Sequence, residues 1–90
     1  MATLYPSVLD ELQRACEQYR NHSLTMDGLK AAVWKAASEV VAHEERELRD
    51  HLQQAEGQLD VIQFTTNESE IFDHSLGVVD RIEATVRRWR

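Results

Sequence analysis

Residues 25–64 read TMDGLKAAVWKAASEVVAHEERELRDHLQQAEGQLDVIQF, and this stretch decides the fold. It contains no proline, and its apolar residues recur at steps of three and four, which is the period of an amphipathic helix. Gly57 weakens the pattern, yet Leu59 on its far side keeps the register of Leu52. The sequence therefore predicts one long central helix over residues 26–63, capped by Thr25 and continuous through Gly57.

A shorter amphipathic segment flanks the central helix on each side. The first covers residues 8–20 with Ser7 as its expected N-cap, and the second covers residues 68–89 with Asn67 in a capping box. Short connections make neighbouring helices antiparallel, and pairing around Thr66 places apolar residues opposite one another, such as Leu52 opposite Ile82. The expected fold is all-α: three helices in one domain over residues 1–90, an antiparallel hairpin completed by dimerisation.

Composition limits the classes of partner. The chain has 90 residues, a formal net charge of −6 and one cysteine, with a pI near 5.1. Such acidity argues against nucleic-acid or anionic-membrane binding. The sequence shows no targeting segment and no run of eighteen apolar residues, so the expected location is the cytoplasm. Cys16 lies on the apolar face of the first helix, where a small core residue is the favoured interpretation and a reactive thiol the alternative.

No sequence pattern indicates catalysis. The serines lie at helix caps or inside helices, and there is no phosphate-binding loop, no glycine-flanked nucleophile and no HExxH motif. A chain of this length also has little volume for a water-excluding pocket. We therefore expect no enzyme activity and no cofactor.

Charge placement is the most informative feature. No lysine or arginine occurs from Asp50 through Asp80, and the hairpin would bring the acidic residues of this span to one tip. Such a tip would attract a basic partner. The alternative is ordinary solubility and helix-dipole matching, with acids early and bases late on the third helix. The expected partner-binding residues are Asp50, Glu56, Asp60, Glu68, Glu70 and Asp73.

A second predicted set lines the core of the hairpin or the seam of a homodimer. The two tryptophans belong to this set, although an arginine-rich end around Trp89 also permits a weaker nucleic-acid interpretation. The predicted seam residues are Trp34, Val40, Leu48, Leu52, Leu59, Ile62, Ile71, Val78, Ile82, Val86 and Trp89.

Histidine and glutamate recur at helical spacing in the second half of the chain. His43, Glu47 and His51 stand four residues apart on one face, and Glu70 and His74 repeat the spacing. Such pairs are able to coordinate Zn²⁺ or iron, whereas a solvated face with hydrogen bonds between successive turns is the simpler interpretation. His43, Glu47, His51 and His74 are therefore weak metal candidates.

The sequence predicts a non-enzymatic protein-interaction module with an acidic surface. An immunity- or antitoxin-like protein, which occupies a basic partner's working surface, is one form of it. The alternatives are a metal-binding helical bundle and a structural or adaptor subunit of a larger assembly. The expected partners are a second copy of the chain and a basic protein.

Overall fold

The computed structural model describes residues 3–90, so the first two residues of the predicted domain lie outside the described part of the chain. Within that part every regular element is helical. A single 3₁₀ turn, His43–Glu45, precedes the third long helix, and another, Glu68–Glu70, precedes the fourth. The four long helices are α1 (Pro6–Arg20), α2 (Met26–Glu39), α3 (Arg46–Thr65) and α4 (Ile71–Trp89).

The prediction of one central helix over residues 26–63 is wrong, because the helix ends at Glu39 and a new one begins at Arg46. Val40 leaves the helical region with φ −85° and ψ 89°. The N–H groups of the next two residues, which a continuous helix would bond internally, instead donate to the hydroxyl of Tyr5. Two adjacent β-branched residues, Val40 and Val41, lower the local helix propensity. A distant side chain therefore competes successfully with the helix at this point.

A buried carboxylate holds the same break from the other side. Glu45 is 3% exposed, and its two oxygens accept hydrogen bonds from the hydroxyl of Thr3 and from the backbone N–H of Leu4. A carboxylate is tolerated at such a depth only when its oxygens have donors. The segment before α1 thus fastens the connection between α2 and α3.

The break lets α3 turn back along α2, and each helix of the resulting bundle runs antiparallel to its packing partners. Asp60 near the end of α3 bonds Lys30 near the start of α2, at 2.5 Å. Lys35 of α2 lies 3.6 Å from Glu11 of α1. At the end of α4, Arg90 lies 2.7 Å from Asp10 of α1. The chain is therefore a four-helix bundle in which α1 packs on α2 and α4, and α3 packs on the same two helices.

One core runs through the bundle. The molecule measures 39 × 22 × 17 Å along its principal axes. Leucines from α1, α2 and α3 are fully buried together with valines of α4. A dimer is expected from the sequence because a thin hairpin would leave part of its apolar surface uncovered. That argument does not apply to a closed bundle, in which a single chain covers its own core.

Several local predictions also met a structural test. The continuation of the helix through Gly57 is confirmed, since α3 contains it without interruption. Thr25 caps α2 as predicted and accepts from the N–H of Gly28 at 3.1 Å. The N-cap of α1 is Tyr5 rather than Ser7, and Asn67 makes no side-chain cap.

Close packing explains why a glycine occupies position 28, and the sequence did not indicate this. A Cβ at this position would stand 2.6 Å from Leu24 Cδ1, well inside normal contact distance. The loop before α2 therefore lies directly against the first turn of the helix.

Candidate functional site

The residues of the predicted acidic tip lie at different positions along the bundle. Asp50 lies in the first half of α3, next to the α2–α3 break, and so at the opposite end of the bundle. Glu56 and Asp60 are half-buried along α3, whereas Glu68, Glu70 and Asp73 are exposed where α4 begins. Including Asp50 in the tip is therefore wrong, because α3 spans about 1.5 Å per residue and separates it from Asp60 by roughly 15 Å.

The ends of all four long helices meet where Glu68, Glu70 and Asp73 lie, and the end of α1 reaches this pole with His22, whose ring lies 4.3 Å from that of Phe72. The start of α2 contributes Asp27 in its first turn, the end of α3 contributes Gln63, and Gln63 donates to Asp27 at 2.9 Å. We call the set Asp27, Glu68, Glu70 and Asp73 the acidic end. These carboxylates stand at the N-termini of α2 and α4, where the helix dipole stabilises negative charge. The acidic end is thus both favourable for its own helices and open to solvent.

Basic residues from outside the stretch between Asp50 and Asp80 neutralise part of its negative charge. These ion pairs were not predicted from the sequence. Lys30 of α2 bonds Asp60 and, at 2.7 Å, the side-chain carbonyl of Gln63. The hydrogen bond to Asp60 is the main reason why the pKa of the Lys30 ammonium is raised. The signal available in the sequence was the position of Lys30, one turn inside α2. When α3 runs antiparallel to α2, the end of α3 lies beside this position.

A second such base, Arg20 of α1, bonds Glu83 at 2.7 Å and also Asp80. Hydrogen bonds to Glu83 and then Asp80 raise the pKa of the guanidinium above its ordinary value. In contrast, Glu68, Glu70 and Asp73 make no ion pair within residues 3–90. Within this described range, three exposed carboxylates without an ion pair therefore lie close together at the start of α4, and Glu39, Glu44 and Asp50 form a comparable set around the α2–α3 break.

Large apolar side chains are exposed along α2 and the second half of α3. Trp34 of α2 is 64% exposed, and Val61 and Phe64 of α3 are 61% and 78% exposed. Gly57, Val61 and Phe64 follow at steps of four and three, which places them on one side of α3. Lys30 bonds Asp60, so the antiparallel register puts Trp34, one turn further along α2, near the level of Gly57. We call Trp34, Gly57, Val61 and Phe64 the apolar face.

The predicted seam residues fall into three groups. Trp34 is not a core residue, because it sits on the solvent side of α2. Ile62 and Ile71 are half-buried. The remainder are buried within the single chain, and these are Val40, Leu48, Leu52, Leu59, Val78, Ile82, Val86 and Trp89.

The metal candidates do not assemble into a site. His51 lies 3.6 Å from Glu47, whose carboxylate also lies 3.6 Å from Arg88. His43 belongs to the preceding 3₁₀ turn rather than to α3, and His74 is on α4. Among residues 3–90 no group of three or more histidine, cysteine or acidic side chains is placed to hold a metal ion. The four-residue spacing of Glu47 and His51 therefore gives a cluster of charged and polar side chains on the surface.

Inside the bundle the hydroxyl groups of Tyr19 and Ser75 have partners, whereas the buried Arg49 Nε and Trp89 Nε1 have no hydrogen-bond partner among the described residues. The Tyr19 hydroxyl lies 2.6 Å from Ser75 Oγ, and Ser75 in turn donates to the carbonyl of Phe72 at 2.8 Å. Cys16 is fully buried, and burial is the main cause that raises the pKa of its thiol to about 12. Neither the serine nor the thiol is accessible to a substrate.

Two further observations bear on the surface. At the end of α4, Arg90 is paired with Asp10 and Gln13 of α1, so this arginine belongs to the contact between the first and last helices. Within the described residues no helix is both long and apolar enough to cross a membrane.

Comparison with known proteins gave no relative from which a role could be transferred. No family model matches the chain, and neither the curated proteins nor the solved structures contain a significant match. The function must therefore be argued from the surface itself.

Proposed function

We propose that this protein is a non-enzymatic interaction module that binds a basic protein through its acidic end. The observation that carries the proposal is the exposure of Glu68, Glu70 and Asp73 at one end of the bundle without a compensating base. Carboxylates concentrated in this way raise the rate at which a basic partner associates, and the effect weakens with salt.

The proposal defines the partner by its chemistry, which is that of a basic protein. An immunity- or antitoxin-like role, in which the acidic end covers the working surface of a basic protein, is one form of the proposal. An adaptor role in a larger assembly is a second form, and the exposed Trp34, Val61 and Phe64 favour it, because such side chains are common at protein interfaces. Homodimerisation stays a prediction that light scattering of the purified protein would test.

Two triple variants of equal net charge test the proposal. The first is Glu68→Gln, Glu70→Gln and Asp73→Asn at the acidic end. The second is Glu39→Gln, Glu44→Gln and Asp50→Asn, which removes exposed carboxylates around the α2–α3 break. The readout is fluorescence anisotropy of labelled oligolysine at about 0.02 M and about 0.2 M salt, between which the screening length shortens markedly.

The first variant is expected to lose about tenfold in affinity at low salt, while the second stays within about twofold of the unsubstituted protein. Equal losses in both variants would mean that only net charge matters, and the acidic end would then have no special role. The same pair, used as bait in extracts with proteins identified by mass spectrometry, would show whether a retained basic protein depends on the acidic end.

A further inference from the structure

A cleft opens to solvent at the acidic end, between the α1–α2 connection and the first turn of α4. Its volume is about 490 Å³, which lies within the range of small-ligand sites. The deeper part of its lining includes the buried Tyr19 and the half-buried Ile71 and Phe72. Asp27 and Glu68 are exposed in the same lining. The cleft therefore combines an apolar floor with an acidic rim.

One wall of the cleft is aromatic. The centre of the Phe72 ring lies 5.3 Å from that of Tyr19 and 4.3 Å from that of His22. The backbone of His22 has a φ of 60°, a left-handed conformation in which helices commonly end and which glycine adopts with less strain. The end of α1 thus places an exposed ring against the half-buried Phe72. The faces of such rings attract cations.

The charge of the cleft is negative. Among residues 3–90 its lining includes Asp27 and Glu68 but no lysine or arginine. Lys30 lies outside the lining, where it is paired with Asp60 and acts on Asp27 more weakly, through charge alone. Arg20 follows the buried Tyr19 but is bonded to two acids of α4. Both carboxylates of the lining are therefore open to a cation from outside the chain.

We infer that this cleft binds an arginine side chain of the basic partner, with the guanidinium against Phe72 and in reach of Asp27 and Glu68. The inference rests on the proposed function, since it names the group by which the partner would enter the acidic end. Arginine suits the cleft better than lysine for two reasons. Its flat guanidinium stacks on aromatic rings and is less strongly hydrated than an ammonium, and it offers several N–H groups to carboxylates at once.

Two double variants of equal net charge test the role of the acidic rim. Asp27→Asn with Glu68→Gln removes the carboxylates of the lining, whereas Glu70→Gln with Asp73→Asn removes two exposed carboxylates of the acidic end that lie outside it. The probes are labelled oligoarginine and oligolysine of equal length. Their binding is followed by fluorescence anisotropy at low salt and about pH 8, where histidine side chains carry little charge.

The chain's two phenylalanines test the aromatic wall. Phe72→Leu removes a ring from the cleft, whereas Phe64→Leu removes a ring that is 78% exposed on α3 and lies outside the lining. Neither change alters the net charge, so a difference between them reports the place of the ring. Thermal unfolding of both variants establishes first that the fold is kept.

Oligolysine reports the charge of the acidic end as a whole, so both double variants should lose about threefold in affinity for it. For oligoarginine we expect a loss of about tenfold in the variant without the acidic rim and about threefold in its control. Phe72→Leu should lower oligoarginine affinity by about threefold and oligolysine affinity by less, and Phe64→Leu should change neither.

Equal oligoarginine losses in the two double variants, or equal losses of both probes in Phe72→Leu, would overturn the inference and leave the proposed function standing. If neither double variant lowered the affinity for either probe, the proposed function itself would fail. If Phe72→Leu did not fold, the double variants would decide alone, because all four of their substitutions are at exposed positions.

Discussion

The hydroxyl of Tyr5 accepts a hydrogen bond from the backbone N–H of Ala42, 2.9 Å away and 37 positions further along the chain. The same oxygen accepts from the N–H of Val41 at 3.2 Å. One side chain near the start of the chain therefore supplies the acceptor for two backbone donors that the end of α2 leaves free. This contact determines where the predicted central helix divides.

Tyr5→Phe should loosen that division. The variant loses the acceptor for both N–H groups but keeps the ring, so we expect a loss of about 1 kcal/mol in unfolding free energy, because water partly replaces the hydroxyl. Amide hydrogen exchange at Val41 and Ala42 should accelerate beyond the change at Ile82, in the core of α4. A uniform change at all three amides would show that the hydroxyl has no local effect.

Ser75→Ala should destabilise the protein more than Tyr19→Phe. Ser75 donates to the carbonyl of Phe72, so the 2.6 Å contact with Tyr19 requires the tyrosine to be the donor. Removing the serine oxygen leaves a buried tyrosine hydroxyl without a partner, at a cost of about 1–3 kcal/mol. Removing the tyrosine hydroxyl leaves the serine satisfied by Phe72. Urea unfolding of both variants measures the difference, and an equal or reversed order would contradict this hydrogen-bond direction.

The buried thiol of Cys16 should make the stability of the fold depend on pH. Burial, then the charge of Glu83, raises the pKa of the thiol from 9.0 to about 12 in the folded state. The folded protein therefore holds this proton more tightly than the unfolded chain does. The associated stability is complete below pH 9.0 and is lost as the pH rises toward about 12.

Cys16→Ala should lower stability near neutral pH, because it removes buried volume, by about 1–2 kcal/mol. Above pH 9.0 its unfolding free energy should then fall less steeply than that of the unsubstituted protein. Thiol labelling gives a second measurement: an aromatic disulfide reagent should react with Cys16 in urea but only slowly in the folded state. Rapid labelling under native conditions would show that α1 opens around the cysteine.

Lys30→Met should strengthen the binding of basic probes. The substitution keeps the apolar stem but releases Asp60 and Gln63, so the negative charge beside the apolar face increases. The matched control is Lys35→Met, which makes the same change in net charge but frees Glu11 on the α1 side of α2. We expect a several-fold gain in oligolysine affinity for the first variant alone, with stability losses of about 0–1 kcal/mol for both. Equal gains would indicate that probe affinity follows net charge only.

Sequence periodicity predicted helices well wherever packing agrees with it. The α3–α4 hairpin follows from the apolar steps alone: Leu52 and Ile82, which it places opposite each other, line the same groove. At the far end of this hairpin an ion pair joins Arg88 to Glu47, whereas Glu45 turns inward. The 3₁₀ turn that contains Glu45 is not visible in the apolar periodicity.

The α2–α3 break was not predictable from periodicity because its cause is remote in sequence. Val40 is buried and falls in the helical register, so the apolar pattern runs through the break without a signal. The local indications were the β-branched pair Val40 and Val41 and the polar residues that follow. Only the contacts of Tyr5 and Glu45, which join the first residues to the middle of the chain, outweigh the helix.

The acidic residues of the surface could be predicted from the sequence, but the ion pairs that neutralise some of them could not. The absence of bases between Asp50 and Asp80 is visible in the sequence. The pairing of Asp60 with Lys30 and of Asp80 with Arg20 depends on which helices become neighbours. Trp34 is predicted to lie in the core or in the seam of a homodimer, and within the single chain α2 presents it outward.

The pairing of Arg90 with Asp10, together with the contacts of Thr3 and Leu4 with Glu45, brings both ends of the described chain to the same pole of the bundle. The acidic end occupies the opposite pole. A fluorophore, an affinity handle or a surface tether attached at either terminus would therefore project away from the carboxylates and leave them facing solution. Immobilised protein would present a uniformly oriented, unobstructed negative tip, a convenient arrangement for capturing whichever basic protein recognises it.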